Sequence, residues 1–308
     1  MKSMGLLILM GFAAIFFLPK QMAQWMPKNH LSRWVGKVAK LPLGNWVIQA
    51  FAAYYRIHVS EAEKPIGEYK TLNEFFTRQL KPGLRPLGGA LVLHPADSLI
   101  TASGKIENGI LLQAKGISYK IPDLVGRTGP KPTSVGLSEP GSLNEPDEFE
   151  GGIFATYYLC PTDYHRVHSP VDGVIEDIIH VPGELWPVNA WSVANIENLF
   201  GVNERVIINI NTPYGPVALV MVAATNVGDI TIPLVPELQT NQGGSSKLPE
   251  KKSYPAHQQI KKGDELGIFQ LGSTVVMLYS KSFVNSTRLS PFELGPVKVN
   301  TSAISTSH

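Results

Sequence analysis

Hydrophobic and polar positions change rhythm near residue 90, dividing the chain into a helical head and a β-rich body. Met4 to Leu18 is an almost unbroken apolar run. Beyond it, Trp46, Val47, Ala50, Phe51 and Tyr54 recur at helical spacing and give one apolar face. Two capping boxes follow, Ser60-x-x-Glu63 and Thr71-x-x-Glu74, the second just ahead of Phe75-Phe76. Pro65 soon stops the first, and Pro82-Gly83 is expected to end the short helix that the second begins.

From Leu91 onward, short β-rich runs are broken by Gly, Pro and Asn. Asn108-Gly109, between Lys105-Ile106 and Ile110 to Leu112, is a hairpin signal. Further strands are expected over 153–159, 174–181, 205–210, 217–223, 267–271 and 274–279. Strands in close succession without long helices between them argue against a parallel α/β sheet. The expected fold class is α+β, with a predominantly antiparallel, barrel- or sandwich-like core and N-terminal membrane-associated helices. Two stretches, 126–152 and 239–255, read as loops, either lids or plain connections. The expected division is 1–60 as a helical anchoring region, 61–299 as the β-rich domain and 300–308 as a flexible Ser/Thr tail.

Charge sharpens the division. Residues 1–60 hold seven Lys or Arg and no Asp or Glu, leaving 20 basic against 25 acidic residues for the rest. A cationic head suits nucleic acid or an anionic bilayer. The apolar run, with Trp25 and Trp34 among the lysines, decides for anionic lipid and against nucleic acid. The run is short for crossing ~30 Å of hydrocarbon, which takes roughly 20 residues. It suits a segment lying in the headgroup region. A true span and a cleaved signal peptide are the alternatives, although no small-x-small cleavage site follows. Cys160 is the only cysteine, which excludes an internal disulfide and a cysteine metal cage and suits a cytoplasmic face. In its apolar run it reads as a small buried hydrophobe.

Three clusters could carry chemistry: His94-Pro-Ala-Asp97, Asp163-Tyr-His165-Arg-Val-His168 and Leu271-Gly272-Ser273-Thr274. Each is weak alone, since Asp after Pro-Ala is usually a turn former and Gly-Ser-Thr an ordinary strand entry. On a helix His165 and His168 would share a face and could bind metal. Pro161, Val167 and Pro170 disfavour a helix, so an extended segment with the two imidazoles on opposite faces is expected, and no metal. Asp, His and Ser together permit an activated nucleophile. The G-x-S-x-G elbow is absent, because Thr274 and Val275 follow Ser273, which disfavours an ordinary lipase or esterase.

The run Pro161-Thr-Asp163-Tyr-His165-Arg-Val-His168-Ser-Pro170-Val-Asp172-Gly173 resembles the signature of phosphatidylserine decarboxylases, and Leu271-Gly272-Ser273-Thr274 resembles their self-processing motif. Further matches, in the family's order, are Thr71 to Phe76, Pro95 to Asp97, Gly104 to Ile106, Leu112 to Gly116, Asn203 to Val206 and Gly263 to Gly267. Together they span about Ala53 to Tyr279. Two departures are Ser98, where many members have Gly, and the long 126–152 loop.

The resemblance implies an Asp97, His168 and Ser273 relay. His168 would deprotonate Ser273, whose hydroxyl attacks the Gly272 carbonyl. Cleavage then leaves residues 1–272 as the large subunit and 273–308 as the small one, with Ser273 converted to a covalent pyruvoyl group. That group would form a Schiff base with the serine headgroup of phosphatidylserine and accept electrons as CO2 leaves. His165 would supply the proton, and phosphatidylethanolamine would be released. The resemblance further implies a homodimer of processed units, peripheral or monotopic on the cytoplasmic face of the cell (inner) membrane. The rival reading is a membrane-associated serine hydrolase that uses the same three residues and stays in one piece.

Overall fold

A computed structural model describes residues 36–112, 118–126, 146–188, 190–225, 229–241, 251–270 and 273–303. The apolar run Met4 to Leu18, Trp25, Trp34, Leu271 and Gly272 lie outside the described residues, as do most of the 126–152 loop and 242–250.

A helix, α1 (Asn45–Tyr54), buries Val47, Ile48, Phe51 and Ala52 and leaves Trp46 and Tyr54 exposed. Another, α2 (Leu72–Phe76), is one of the two expected capped helices. Thr71 Oγ1 accepts the Glu74 N–H at 3.0 Å, and the Glu74 carboxylate accepts the Lys70 N–H at 2.8 Å. This cap stabilises the helix by ~1 kcal/mol. Two expectations fail here. Ser60 caps no helix; it lies in a 3-10 turn, Val59–Glu61, and the Glu63 N–H donates to the Gln79 carbonyl instead. Pro82-Gly83 does not end α2, which stops at Phe76, where the Thr77 hydroxyl donates to the Asn73 carbonyl at 3.0 Å.

The body is built from β1 (Ser98–Lys105), β2 (Ile110–Leu112), β3 (Ser118–Lys120), β4 (Ile153–Leu159), β5 (Arg166–His168), β6 (Gly173–Val181), β7 (Arg205–Thr212), β8 (Gly215–Ala223), β9 (Ile230–Thr231), β10 (Lys252–Ile260), β11 (Glu265–Phe269), β12 (Ser273–Tyr279) and β13 (Gly295–Val297). Eight strands form one antiparallel sheet in the order β10-β6-β7-β8-β12-β4-β1-β13. A second sheet runs β5-β11-β9, and β2 pairs with β3. The Asn108-Gly109 turn forms as expected, both residues having positive φ. The Glu150 carboxylate accepts both of their N–H groups.

The large sheet is buried on both faces, which is why its central strands are apolar at almost every position. On β12, Val275, Met277 and Tyr279 join one core cluster, while Val276 and Leu278 join the other. On β8, Val217, Leu219 and Met221 alternate in the same way with Ala218, Val220 and Val222. The first face carries the β5-β11-β9 sheet through Val167, Leu266, Phe269 and Ile230. The second carries Tyr119, Ile121, Leu124, Leu199 and Phe200.

One strand lies where a loop is expected. Lys252–Ile260 overlaps the expected 239–255 loop but pairs antiparallel with β6. Its polar residues face solvent, and as an edge strand it tolerates Pro255 and a break in register at His257. The expected tail is also held at its start. The Asn300 N–H donates to the His94 carbonyl and the Ala303 N–H to the Val92 carbonyl, both at 2.9 Å; residues 304–308 lie outside the described residues. A third cluster, from Val38 through Phe51 and Ile57 to Phe76, runs across the expected boundary at residue 60.

Candidate active site

Two stretches of chain converge on the start of β12. Ser273, whose backbone is described, stands between Leu159 at the end of β4 and Ala223 at the end of β8. From Leu159 the chain turns at Cys160 to Asp163. The Asp163 carboxylate accepts the Cys160 N–H at 2.7 Å, and the Asp163 N–H returns to the Cys160 carbonyl at 2.9 Å. Tyr164, His165 and β5 follow. β5 pairs with β11, His168 opposite Glu265, and β11 leads to Phe269, whose N–H donates to the His165 carbonyl at 2.9 Å. The histidine-bearing segment is therefore bonded to the strand upstream of the Leu271-Gly272 dipeptide, and it follows in the chain on Leu159, the β4 partner of Ser273.

His168 is held at both ring nitrogens. Its Nδ1 lies 2.7 Å from the Gly263 carbonyl. A carbonyl only accepts, so Nδ1 carries the proton and Nε2 offers its lone pair. That lone pair faces the Tyr164 hydroxyl at 3.1 Å, and the two rings are stacked. Burial lowers the His168 pKa, opposed by the Gly263 carbonyl. Its imidazole is thus neutral, with the nitrogen a base needs facing a hydroxyl. Gly263 takes φ of +90°, a conformation that suits glycine and aims its carbonyl at the ring.

His165 is fully buried. Its Nδ1–H donates to the Asp163 carbonyl at 2.9 Å, and its Nε2 has no partner among the described residues. The Phe76 ring packs on it, with centroids 3.9 Å apart. Burial pushes its pKa down to about 3. Asp163 moves the other way, raised to about 6 by burial against the pull of the Cys160 N–H.

Asp97 is buried and bound to cations. Arg85 Nε lies 3.0 Å from Oδ1 and Nη2 2.6 Å from Oδ2, Lys298 Nζ is 3.1 Å from Oδ2, and the Val299 N–H donates to Oδ1 at 2.9 Å. Burial raises the Asp97 pKa, but the Arg85 and Val299 hydrogen bonds outweigh it and the net shift is downward. The structure thus ties His165 by its backbone to Phe269, near the end of the chain leading to Ser273, and places His168 further back, opposite Glu265 at the start of β11. The carboxylate of Asp97 is bonded to Arg85, Lys298 and Val299, and the bond that sets the His168 tautomer comes from the Gly263 carbonyl.

Sequence patterns alone do not mark Arg85, Lys298, Phe76, Tyr164 or the Gly263 carbonyl as functional. Phe76, Tyr164 and Gly263 do lie inside the motifs that carry the family resemblance, and that is the signal by which they can be found. Arg85 and Lys298 sit in no pattern. Among the described residues, no three His, Cys, Asp or Glu side chains gather as a metal site requires. Two buried polar atoms in the neighbouring chain segments, His165 Nε2 and Thr274 Oγ1, have no partner among the described residues and so remain available to a group formed nearby. No helix among these residues is long and apolar enough to cross a membrane.

The family profile described as Phosphatidylserine decarboxylase matches residues 72–301. Three similar relatives each carry the name phosphatidylserine decarboxylase proenzyme. That of Vibrio campbellii is 40% identical over 270 residues, covering 84% of this chain and 89% of its own. That of Idiomarina loihiensis is 42% identical, covering 84% and 86%. That of Pseudoalteromonas translucida is 38% identical over 269 residues, covering 82% and 86%.

Proposed function

Because the chain belongs to the phosphatidylserine decarboxylase family, we propose that it is a proenzyme that cleaves itself between Gly272 and Ser273, then converts phosphatidylserine to phosphatidylethanolamine and CO2. The observation that supports this reading is that the segment carrying both histidines is bonded to β11, the strand that leads to Leu271-Gly272. His165 is tied by its backbone to Phe269, and β5, bearing His168, pairs with β11 just before Leu271-Gly272.

His168, neutral and with its lone pair on Nε2, is assigned as the base that takes the Ser273 proton. The Ser273 oxygen then bonds to the Gly272 carbonyl carbon, whose bond to the Ser273 nitrogen breaks. An ester results, and elimination separates the chains. Asp97, kept ionised by Arg85 and Lys298, supports positive charge on His168 through space. Once formed from Ser273, the pyruvoyl group supplies an electron sink for decarboxylation. His165 Nε2, buried and without a partner, is the atom assigned to hold and return the proton. Phe76 and the Asp163 carbonyl keep that ring in place and away from water.

The substrate remains in a bilayer, so the head of the chain is assigned to the cytoplasmic face of the cell membrane and to anionic lipid. The exposed Leu41, Trp46, Tyr54 and Val59 support an interfacial seat for this region. The homodimer rests on the family resemblance alone. Intact-mass measurement of purified protein tests the central claim. Two chains are expected, ending at Gly272 and beginning with a blocked residue 273, and Ser273→Ala should give one uncut chain. A full-length wild-type protein that still releases CO2 would overturn it and favour a different chemistry.

A further inference from the structure

We infer that Asn73 and Gln270 form a positioning pair that holds the chain entering the self-cleavage bond; the inference rests on cleavage at Gly272-Ser273. Only Leu271 and Gly272 separate Gln270 from Ser273. Downstream, Ser273 is fixed by strand pairing with Leu159 and Ala223. Upstream, Gln270 belongs to no strand, yet three bonds hold it. Its N–H donates to the Asp229 carbonyl at 2.9 Å, its Nε2 to Thr231 Oγ1 at 2.9 Å, and its Oε1 accepts from Asn73 Nδ2 at 2.8 Å.

The Asn73 contact joins residues 197 positions apart in sequence. Asn73 sits on α2, whose Thr71 cap and buried Leu72, Phe75 and Phe76 leave the short helix little freedom. The same helix presses Phe76 on His165, and the Thr77 carbonyl just beyond it accepts Arg166 Nε at 3.0 Å. One rigid element thus sets both the histidine segment and the approach to the bond to be cut. An attack of a side chain on its own preceding carbonyl depends steeply on geometry, so a freed Gln270 should slow it.

The test follows the conversion of freshly folded full-length chain to two chains by gel and intact mass. Gln270→Met keeps the bulk and removes the amide; Asn73→Leu removes the partner. Each should fold, with unchanged circular dichroism; Asn73→Leu should be cut roughly tenfold more slowly, the loss expected from about one hydrogen bond, and Gln270→Met, which also loses the Thr231 bond, more slowly still. Gln270→Glu keeps an acceptor for Asn73 Nδ2 and should be cut near the wild-type rate. The double variant should be no slower than Gln270→Met alone, since that change already deletes the bond that Asn73→Leu removes. Thr231→Val, on the exposed side of the clamp, gives a milder slowing and serves if a core variant does not fold. Wild-type rates in Gln270→Met and Asn73→Leu, or in Thr231→Val if those do not fold, would overturn the pair while leaving cleavage intact. Wild-type protein that stays whole, or is cut elsewhere, removes the cleavage reading itself and the clamp with it.

Discussion

Arg85 holds Asp97 through two guanidinium nitrogens, and the same Nη2 reaches the Glu61 carboxylate at 2.8 Å. A buried carboxylate left without its cation costs about 3–5 kcal/mol. Arg85→Leu leaves Asp97 only the exposed Lys298 and the Val299 N–H, so it should lower unfolding stability by about 2–3 kcal/mol and reduce self-cleavage. Arg85→Lys should recover part of both. Lys298 is far more exposed, so Lys298→Ala should cost under about 1 kcal/mol. Urea unfolding of the uncut Ser273→Ala background measures the difference without interference from cleavage.

Tyr164→Phe should move the pH dependence of cleavage. The hydroxyl opposite Nε2 favours neutral His168, so its loss raises the imidazole pKa. Cleavage needs the neutral ring and occurs above that pKa. The profile is expected to move to higher pH by up to about one unit, the equivalent of one hydrogen bond. An unmoved profile would remove Tyr164 from the chemistry.

Acid stability should reflect three buried groups of opposite sign. Burial holds His94 down to about 4 and His165 to about 3, so the native state refuses protons that the unfolded chain binds below ~6.5. Their contribution is fully present above ~6.5 and is lost as pH falls toward those native values. Asp163, raised to about 6, works the other way: its native form gains stability as pH falls from about 6 toward the ordinary carboxylate range. Each group contributes a slope near 1.4 kcal/mol per pH unit within its window. His94→Leu should flatten the loss of stability between pH 6 and 4, and Asp163→Asn should steepen it. Denaturant titrations across that range decide.

Gly263→Ala should be costlier than its size suggests. The added methyl would press on Leu87 Cδ2, which can move, but φ of +90° cannot be relieved so cheaply. A loss of about 1–2 kcal/mol is expected from the backbone alone. Cleavage should slow as well, because the carbonyl that fixes the His168 tautomer is displaced. Melting temperature and two-chain formation, measured on the same preparation, report the two effects separately.

Much of the sheet was legible because its inner strands are apolar at successive positions and end at Gly, Pro or Asn. The 153–159 strand and the Asn108-Gly109 turn are examples. β10 was not legible, since an edge strand bearing Pro255 and mostly polar residues has the composition of a loop. The two histidines could be assigned to separate places from the prolines around them, but their partners could not. Gly263 and Phe76 lie 95 and 89 positions from His168 and His165, and no local pattern encodes such contacts. Asp97 was identifiable as a residue; its grip by Arg85 depends on packing that joins the helical head to the body.

The strand that begins with Ser273 lies inside the large sheet, paired along all seven residues with β4 on one side and β8 on the other. A cut at its first residue would free one end of that strand without releasing it. Renaturation of the mature protein would then be second order in concentration, since a 36-residue fragment has to find its slot between two strands of another molecule. Assembly is a unimolecular event only before the cut, and the lifetime of the finished enzyme would be governed by its unfolding rate rather than by an equilibrium.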